Sequence, residues 1–497
     1  MAIPKVCGIE TEFGIFNPGA PDANPIQLSS LLVNAYVTSL NRPSSKVSWD
    51  FEDEQPGNDA RGWSLGGSMP PEVESHLVNA VLTNGARFYV DHAHPEYSGP
   101  ECRDARSATL YDRAGDQVLL NAMAAAKPLL PPGQEIVVYR NNSDGKGNSY
   151  GTHENYLMDR SVAFTRIIGS IIPFFVTRQI FCGAGKVGTE LAHGPSVEFQ
   201  ISQRADFFEE EVGLETTLKR PIVNTRDEPH SDSSKYRRLH VIIGDANPSD
   251  VATYLKLGTT SMVLAMIEDG VLDAGTFALA TPVPTLQAIS RDTSLRQPVE
   301  MANGSKRTAL DIQWEYFERA KKWAESHGLE SVVEEVGLDV LDRWESVLNG
   351  LETDPLSQAH IVDWIAKKRL VDGLRDRHRL TATDARLRAI DLQYHDLRPA
   401  KSLSARVGLE SMFATADVVH AATEPPRETR AYFRGKCLQR FPEAIAAANW
   451  DSVVFDLGTD PLRRVPMLEP LKGTAEMVDT LLEGCTTAAE LLARLGA

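Results

Sequence analysis

Residues 7–15, CGIETEFGI, alternate strictly: Cys7, Ile9, Thr11, Phe13 and Ile15 fall on one face of a strand, and Gly8, Glu10, Glu12 and Gly14 on the other. Two carboxylates two residues apart therefore point the same way, beside glycines that let a ligand approach the backbone. Like charges that close repel unless a cation lies between them, and Mg²⁺, a hard ion that prefers carboxylate oxygen, suits the pair. A solvated edge strand would carry the same pattern, so this segment alone does not decide.

Three further segments repeat the device. In Gly85–Asp91, the apolar face carries Ala86, Phe88 and Val90, and the other carries Arg87, Tyr89 and Asp91. It runs into His92, His94 and Glu96, a denser polar set than a solvated face needs. Residues 148–157, NSYGTHENYL, place His153 and Asn155 on one side, and in Tyr236–Ile243 Tyr236, Arg238 and His240 oppose Leu239, Val241 and Ile243. Each histidine alone reads as a structural residue. Four strands with polar groups opposite apolar faces point to a shared concave site. Basic residues gather nearby, at Lys219, Arg220, Arg226, Lys235, Arg237 and Arg238. Arginine forks bind phosphate and carboxylate bidentately, and a solvated basic loop is the competing reading.

Familiar nucleotide and hydrolase motifs are missing. Residues 183–187, GAGKV, invite a P-loop reading, but GxxxxGK[ST] needs Gly at Ile180 and Ser or Thr at Val187. There is no G-x-S-x-G and no H-E-x-x-H. A nucleotide here would be held through Mg²⁺ and sheet side chains.

The elements that must position these groups follow from the whole chain. Its 497 residues carry 51 Lys and Arg against 68 Asp and Glu, a net charge of −17, so the surface repels nucleic acid and anionic membrane. With 42% hydrophobic residues it can bury a sizeable core. Cys7, Cys102, Cys182, Cys437 and Cys485 include no CxxC pair, which argues against a disulfide framework or structural zinc and for a reducing cytoplasm. No secretory signal is expected of MAIPKVCGIETEF. The most apolar run, Ile167–Val176, is too short to span a bilayer and reads as a buried strand or short helix.

To about Ile243 the pattern is of short alternating stretches broken by Gly, Pro, Asn and Asp, the signature of antiparallel strands. Beyond it, Val251–Asp269, Ala309–His327 and Gln358–Arg375 read as amphipathic helices. Glu424-Pro425-Pro426 forms a linker before the last seventy or so residues. Residues 43–73 are acidic, rich in Gly and Pro and weakly periodic; so long a loop is functional or a tolerated insertion.

The segments GIETEFG (8–14), NGARFYVDHAHPEYSGPE (84–101), NSYGTHENYL (148–157), NTRDEPH (224–230), YRRLHVIIGDAN (236–247) and WDSVVFDLG (450–458) together resemble the family of Pup ligases and deamidases, over nearly the whole chain and in order. Pup is the prokaryotic ubiquitin-like protein. One branch of the family ligates Pup's C-terminal glutamate to lysines. The other converts a C-terminal glutamine to glutamate and cleaves the Pup–lysine isopeptide bond. The insertion at about 43–76 and the spacing His-Ala-His-Pro-Glu after Asp91 resemble the hydrolytic branch. Gly99 stands where the ligase has a threonine that contacts ATP, so ligase roles do not carry over there.

The resemblance implies an α+β fold, with a glutamine-synthetase-like antiparallel sheet cradle packed with helices over residues 1–425 and a small C-terminal domain over 430–497. It implies ATP (or ADP plus phosphate) and Mg²⁺ as cofactors, and Pup and pupylated proteins as partners. It makes Asp91 the catalytic carboxylate and assigns Glu10, Tyr89 and Glu96 to Mg²⁺, with His153 and His240 as further metal contacts. Gly8, Ile9, Thr11, Glu12, Arg87, Asn155, Arg238 and Trp450 would contact the nucleotide. Acidic Pup would dock on a basic groove fed by Lys219–Arg238, and the 43–76 loop would gate the site. The competing readings are the ligase, a non-catalytic Pup- or nucleotide-binding regulator, and an amino-acid ligase of the wider glutamine-synthetase class.

Overall fold

A computed structural model describes residues 1–40, 47–52, 54–64, 78–190, 197–273, 275, 277–458 and 461–496. Six strands make the main sheet: β1 (Cys7–Glu12), β3 (Asn79–Val81), β4 (Arg87–Asp91), β5 (His94–Ser98), β6 (Thr152–Asp159) and β7 (Tyr236–Val241). They lie in the order β7-β6-β1-β5-β4-β3, every neighbouring pair antiparallel. The alternation in the sequence is the alternation in space. Burial in β1 runs buried, half-buried through all six residues, with Glu10 and Glu12 on the half-buried side.

Helices cover the other face. α1 (Pro25–Ser39) and α2 (Ala105–Ala126) pack behind β1, β4 and β5. α1 begins with Pro at its first position, and the Asn24 side chain accepts from Ile26 N. α2 is capped by Asp104, which accepts from Ser107 N. α3 (Phe164–Thr177) and α4 (Asp250–Glu268) complete the layer. The strand-rich reading of the first 243 residues therefore missed α1 and α2, because turn signals between short apolar runs suit either element. Ile167–Val176 lies within α3, with Pro173 inside the helix. Farther along, α5 spans Ala309–His327 as expected, closed by a Thr308–Asp311 capping box. The expected helix at 358–375 starts late. Residues Pro355–His360 form a 3₁₀ turn and α6 runs Asp363–His378.

The sheet's back face is tied to the helices by buried charge. Glu154 on β6 takes two bonds from Arg178, Nη1 to Oε2 at 2.8 Å and Nη2 to Oε1 at 2.6 Å, and Arg178 also donates to Thr260 on α4. Both ions are fully buried. Such a pair adds little net stability over an apolar filling, but removing one partner strands the other.

Two hydrophobic cores divide the chain. The larger reaches Ala421 and Ala422, and the smaller begins at Tyr432 and runs to Leu492. The smaller core also takes Val47 and Trp49 from the insertion. There β2 (Ser48–Trp49) pairs in parallel with β8 (Ile445–Ala448), in a sheet ordered β10 (Arg463–Pro466), β9 (Ser452–Phe455), β8, β2. Residues 43–46, 53 and 65–76 of the insertion lie outside the described residues. No helix among the described residues is long and apolar enough to cross a membrane.

Replacing Arg178 by Met should cost about 3–5 kcal/mol of unfolding free energy, because Glu154 is left as an unpaired buried ion. Denaturant titration of the two proteins checks this, and a loss under about 1 kcal/mol would contradict the assigned role.

Candidate active site

Antiparallel register brings the polar residues together. Glu10 stands opposite His153, Asn155 opposite His240, and Glu12 and Tyr89 both opposite Glu96. Two clusters result on the open face. In the first, one donor atom each from Glu10, His153 and His240 lies within 4.8 Å of the others. Asn155 organises this cluster: its Nδ2 donates to Glu10 Oε1 at 2.8 Å, while its Oδ1 accepts from Arg238 at 2.7 Å and faces His240 Nδ1 at 3.0 Å. Burial works against ionising Glu10, yet His153, His240 and Arg238 outweigh it and hold the carboxyl well below its usual range. Burial, then the Arg238 charge, keeps His240 neutral, the form that can offer a lone pair to a metal.

In the second cluster, Glu12, Asp91 and Glu96 converge within the same 4.8 Å limit. Here like charges dominate. Burial, then Asp91, Glu12 and Glu10, push the Glu96 carboxyl well above its ordinary value, and Glu12 is raised by burial and by Asp91. Asp91 goes the other way: burial opposes its charge, but His92, with Nδ1 2.9 Å from Asp91 Oδ2, draws its pKa down. His92 is held there by a left-handed backbone at φ 50°. Of the trio, Asp91 is thus the carboxylate whose charged form its neighbours favour.

Tyr89, expected at Mg²⁺, lies on the open face, where its hydroxyl donates to Glu96 Oε1 at 2.6 Å and burial together with Glu96 raises its pKa well above the usual value. Thr11, expected at the nucleotide, turns its side chain to the core face and donates to Asp112 behind the sheet. Ile9 likewise buries its side chain in the core while bordering the pocket described below. Glu12, expected at the nucleotide, instead joins the second cluster, where Gly151 N donates to its Oε1 at 2.9 Å. Gly151 is required for space, since a Cβ there would fall 2.0 Å from His153 Nε2.

The basic segment does not form one groove. Arg237 faces backwards, donating to Val162 O and lying over Phe164, and Lys235 bonds Glu469 at the surface. Odd and even residues of β7 point to opposite faces, so a run of basic residues on a strand is necessarily split. Arg238 does reach the open face, beside Glu10.

Four arginines around this face have no carboxylate partner among the described residues. Arg87 bonds Asn79 through Nε and is sandwiched between Trp49 and Tyr89, 4.2 and 3.9 Å from the ring centres. Arg204 and Arg220, both buried, donate only to the Tyr150 and Ser149 carbonyls and act electrostatically on Glu12. Arg226 leaves its buried Nε unbonded near Arg238 and His240. Burial and the like charge of Arg220 lower the Arg204 pKa to about 10. In a chain of net charge −17, buried guanidiniums spared from ion pairing mark a place for a polyanion. Arg204 was missed in the sequence because its segment carries no periodicity to give it a face.

A pocket opens from the first cluster toward the small domain, lined by Gly8, Glu10, Gly99, Arg238, Arg430 and Trp450 among others. Gly8 lies flat against residues 99–101, where an added Cβ would sit 3.5 Å from Pro100 O. Trp450 is placed by Arg434, which donates to the Trp450 carbonyl at 2.8 Å, to Gly85 O and to Glu101. Although burial favours the neutral acid, Arg434 and Arg430 draw Glu101 down to about 2, so this link between sheet and small domain is ionic.

A family model described as Pup-ligase protein matches residues 5–454. The chain is 52% identical to the depupylase of Acidothermus cellulolyticus and 49% identical to the Pup deamidase/depupylase of Mycolicibacterium smegmatis, in each case over 99% of both chains. Among solved structures it is similar to the Pup ligase PafA in complex with ADP, with a TM-score of 0.72 and 33% identity over 82% of this chain and 89% of that one. By sequence and by fold, the chain belongs to the Pup ligase family.

Proposed function

We propose that this chain hydrolyses amide bonds at the C-terminus of Pup, converting its terminal glutamine to glutamate and cleaving the isopeptide bond to lysine on pupylated proteins. It does so in the cytoplasm with Mg-ATP as a bound cofactor. The observation that carries the reading is Asp91, bonded to His92 at 2.9 Å and converging with Glu12 and Glu96 on the open face. End-to-end likeness to relatives named for depupylation and deamidation supports the hydrolytic branch over the ligase.

The residues fit the cofactors. Glu10, His153 and His240 would hold one Mg²⁺ and Glu12 and Glu96 another, since each set converges hard or borderline donors that repel or go unused without a cation. Arg87, Arg204, Arg220 and Arg226 would meet the phosphates, and Gly8, Gly99 and Trp450 would receive the base. When bound, Mg²⁺ and phosphate supply Lewis-acid polarisation of the scissile carbonyl and stabilise the charge that develops there.

The chain's own groups do the rest. Asp91 presents a carboxylate that serves as nucleophile or general base at the amide carbon. His92 fixes its orientation through Oδ2. Tyr89 and Ser98 both donate toward Glu96 Oε1, at 2.6 and 3.3 Å, which holds that carboxylate still. Amide hydrolysis is downhill in water, so no ATP is consumed per turnover.

Asp91→Asn should lower both glutamine deamidation and isopeptide cleavage by about 10²-fold or more while ATP still binds, as mass spectrometry of Gln-terminated Pup and gel analysis of a conjugate would read. Near-normal cleavage would remove the assignment. The ligase reading is separated in one tube: with Glu-terminated Pup, a lysine-bearing protein, some preformed conjugate and ATP, conjugate disappears here and accumulates with a ligase.

A second prediction concerns the acidic trio. A carboxyl whose folded pKa is raised costs stability as pH climbs above the unfolded value of about 4.3 and through the folded one. Glu96→Gln should therefore raise the metal-free Tm at pH 8 by roughly 1–2 °C, and should shrink the further rise that Mg²⁺ gives the wild type. A lower Tm for the variant in chelator would contradict the repulsion argument. Third, Trp450→Ala should weaken ATP binding about tenfold by calorimetry, the scale of one aromatic–base stack. Unchanged affinity would take Trp450 out of the pocket.

A further inference from the structure

Two of the five cysteines are paired backbone to backbone beside the pocket, with their side chains in the large core. Cys7 at the start of β1 and Cys102 form an isolated antiparallel bridge, with Cys7 N donating to Cys102 O at 2.9 Å and Cys102 N to Cys7 O at 2.8 Å. Residues paired by both such bonds have Cα atoms about 5.5 Å apart and side chains on the same face. That separation falls inside the window a disulfide spans, roughly 4.4–6.8 Å. Both thiols are free and buried in the large core: Cys7 borders the pocket beside Gly8 but turns its side chain to the core face with Ile9 and Thr11, and the Cys102 thiol donates to Pro100 O at 3.4 Å.

We propose that Cys7 and Cys102 are a disulfide-forming pair, oxidised by a peroxide and coupled to nucleotide occupancy. The Cys7 thiol loses its proton and attacks a peroxide oxygen; the O–O bond breaks, a sulfenic acid forms and one water leaves. The Cys102 thiol then attacks that sulfur, its proton goes to the departing hydroxyl, and a second water leaves. Two thiols and one H₂O₂ give one S–S bond and two waters. Burial raises both thiol pKa values, so the resting pair is protonated and reacts slowly.

The coupling follows from position. A disulfide draws its two Cβ atoms to about 3.8 Å, closer than the roughly 4.5–5.5 Å usual for directly opposite antiparallel residues. Residues 99–101 lie directly against Gly8, so pulling 102 toward 7 narrows the floor on which the nucleotide rests. Oxidation then weakens nucleotide binding, and by thermodynamic reciprocity bound nucleotide opposes oxidation. The coupling, though not the cross-link, rests on the nucleotide reading above.

The test uses the full chain, reduced, freed of nucleotide and treated with hydrogen peroxide under native conditions. Alkylation and non-reducing peptide mapping should find one cross-linked peptide pair holding positions 7 and 102, lighter by two hydrogens and released by dithiothreitol. Cys102→Ser should give none. Saturating Mg-ATP should slow its formation about fivefold or more, and the oxidised protein should bind ATP weaker by a like factor. ATP binding to the reduced protein is measured first: its absence sinks the nucleotide reading and leaves the cross-link to stand or fall on the map. Absence of the 7–102 peptide, its appearance only after unfolding in urea, or unchanged ATP affinity after cross-linking would each overturn the proposal.

Discussion

Three carboxylates held within 4.8 Å of one another on the open face of the sheet set the terms for the rest of this molecule. Such a cluster is unfavourable unless protons, cations or guanidiniums compensate it, and the structure supplies partial compensation of each kind. Glu96 and Glu12 are pushed toward their neutral forms, Asp91 is stabilised by His92, and Arg204 and Arg220 stand behind Glu12. The negative charge left over is what the proposed Mg²⁺ would meet. The neighbouring cluster on Glu10 is built differently, with histidines and Asn155 already satisfying much of the charge. The two clusters therefore differ in how strongly they need an ion, though they share one strand.

The rigid parts of the fold serve this face. Glu154 lies on β6 between His153 and Asn155, and its buried bond to Arg178 pins the strand that carries both. Arg434 performs a comparable service from the small domain, joining Gly85, Glu101 and Trp450 in one buried knot. The insertion completes the wall. Trp49 enters the small domain's sheet, meets Trp450 edge-on at 5.1 Å and covers Arg87. A segment that reads as a loop is here a structural partner of both domains, and its placement next to Arg87 gives it a physical route to the site.

Chain topology explains why neighbouring residues in sequence have separate duties. Thr11 sits between Glu10 and Glu12 yet belongs to the core, bonding Asp112 behind the sheet. Arg237 and Arg238 part in the same way. The family resemblance assigned Thr11 to the nucleotide and treated the basic segment as one groove, and the pleat separates both. Tyr89 is subtler, since it lies on the open face and yet spends its hydroxyl on Glu96.

Much was legible without coordinates. Period-two alternation assigned Glu10, Glu12, Arg87, Asp91, His153, Asn155, Arg238 and His240 to open faces, because pleat direction is a local property that each strand carries by itself. The helix Ala309–His327 was readable to the residue, since its cap and its stripe are both local. Strand order was not readable, nor was the pairing of Glu12 with Glu96 or of Glu10 with His153, because register is a contact between segments up to about a hundred and forty residues apart. The same holds for the unpaired state of Arg204 and for the bridge between Cys7 and Cys102. A sequence fixes which way a side chain faces; only the packed sheet decides what it faces, since pairing is set by the core on the far side.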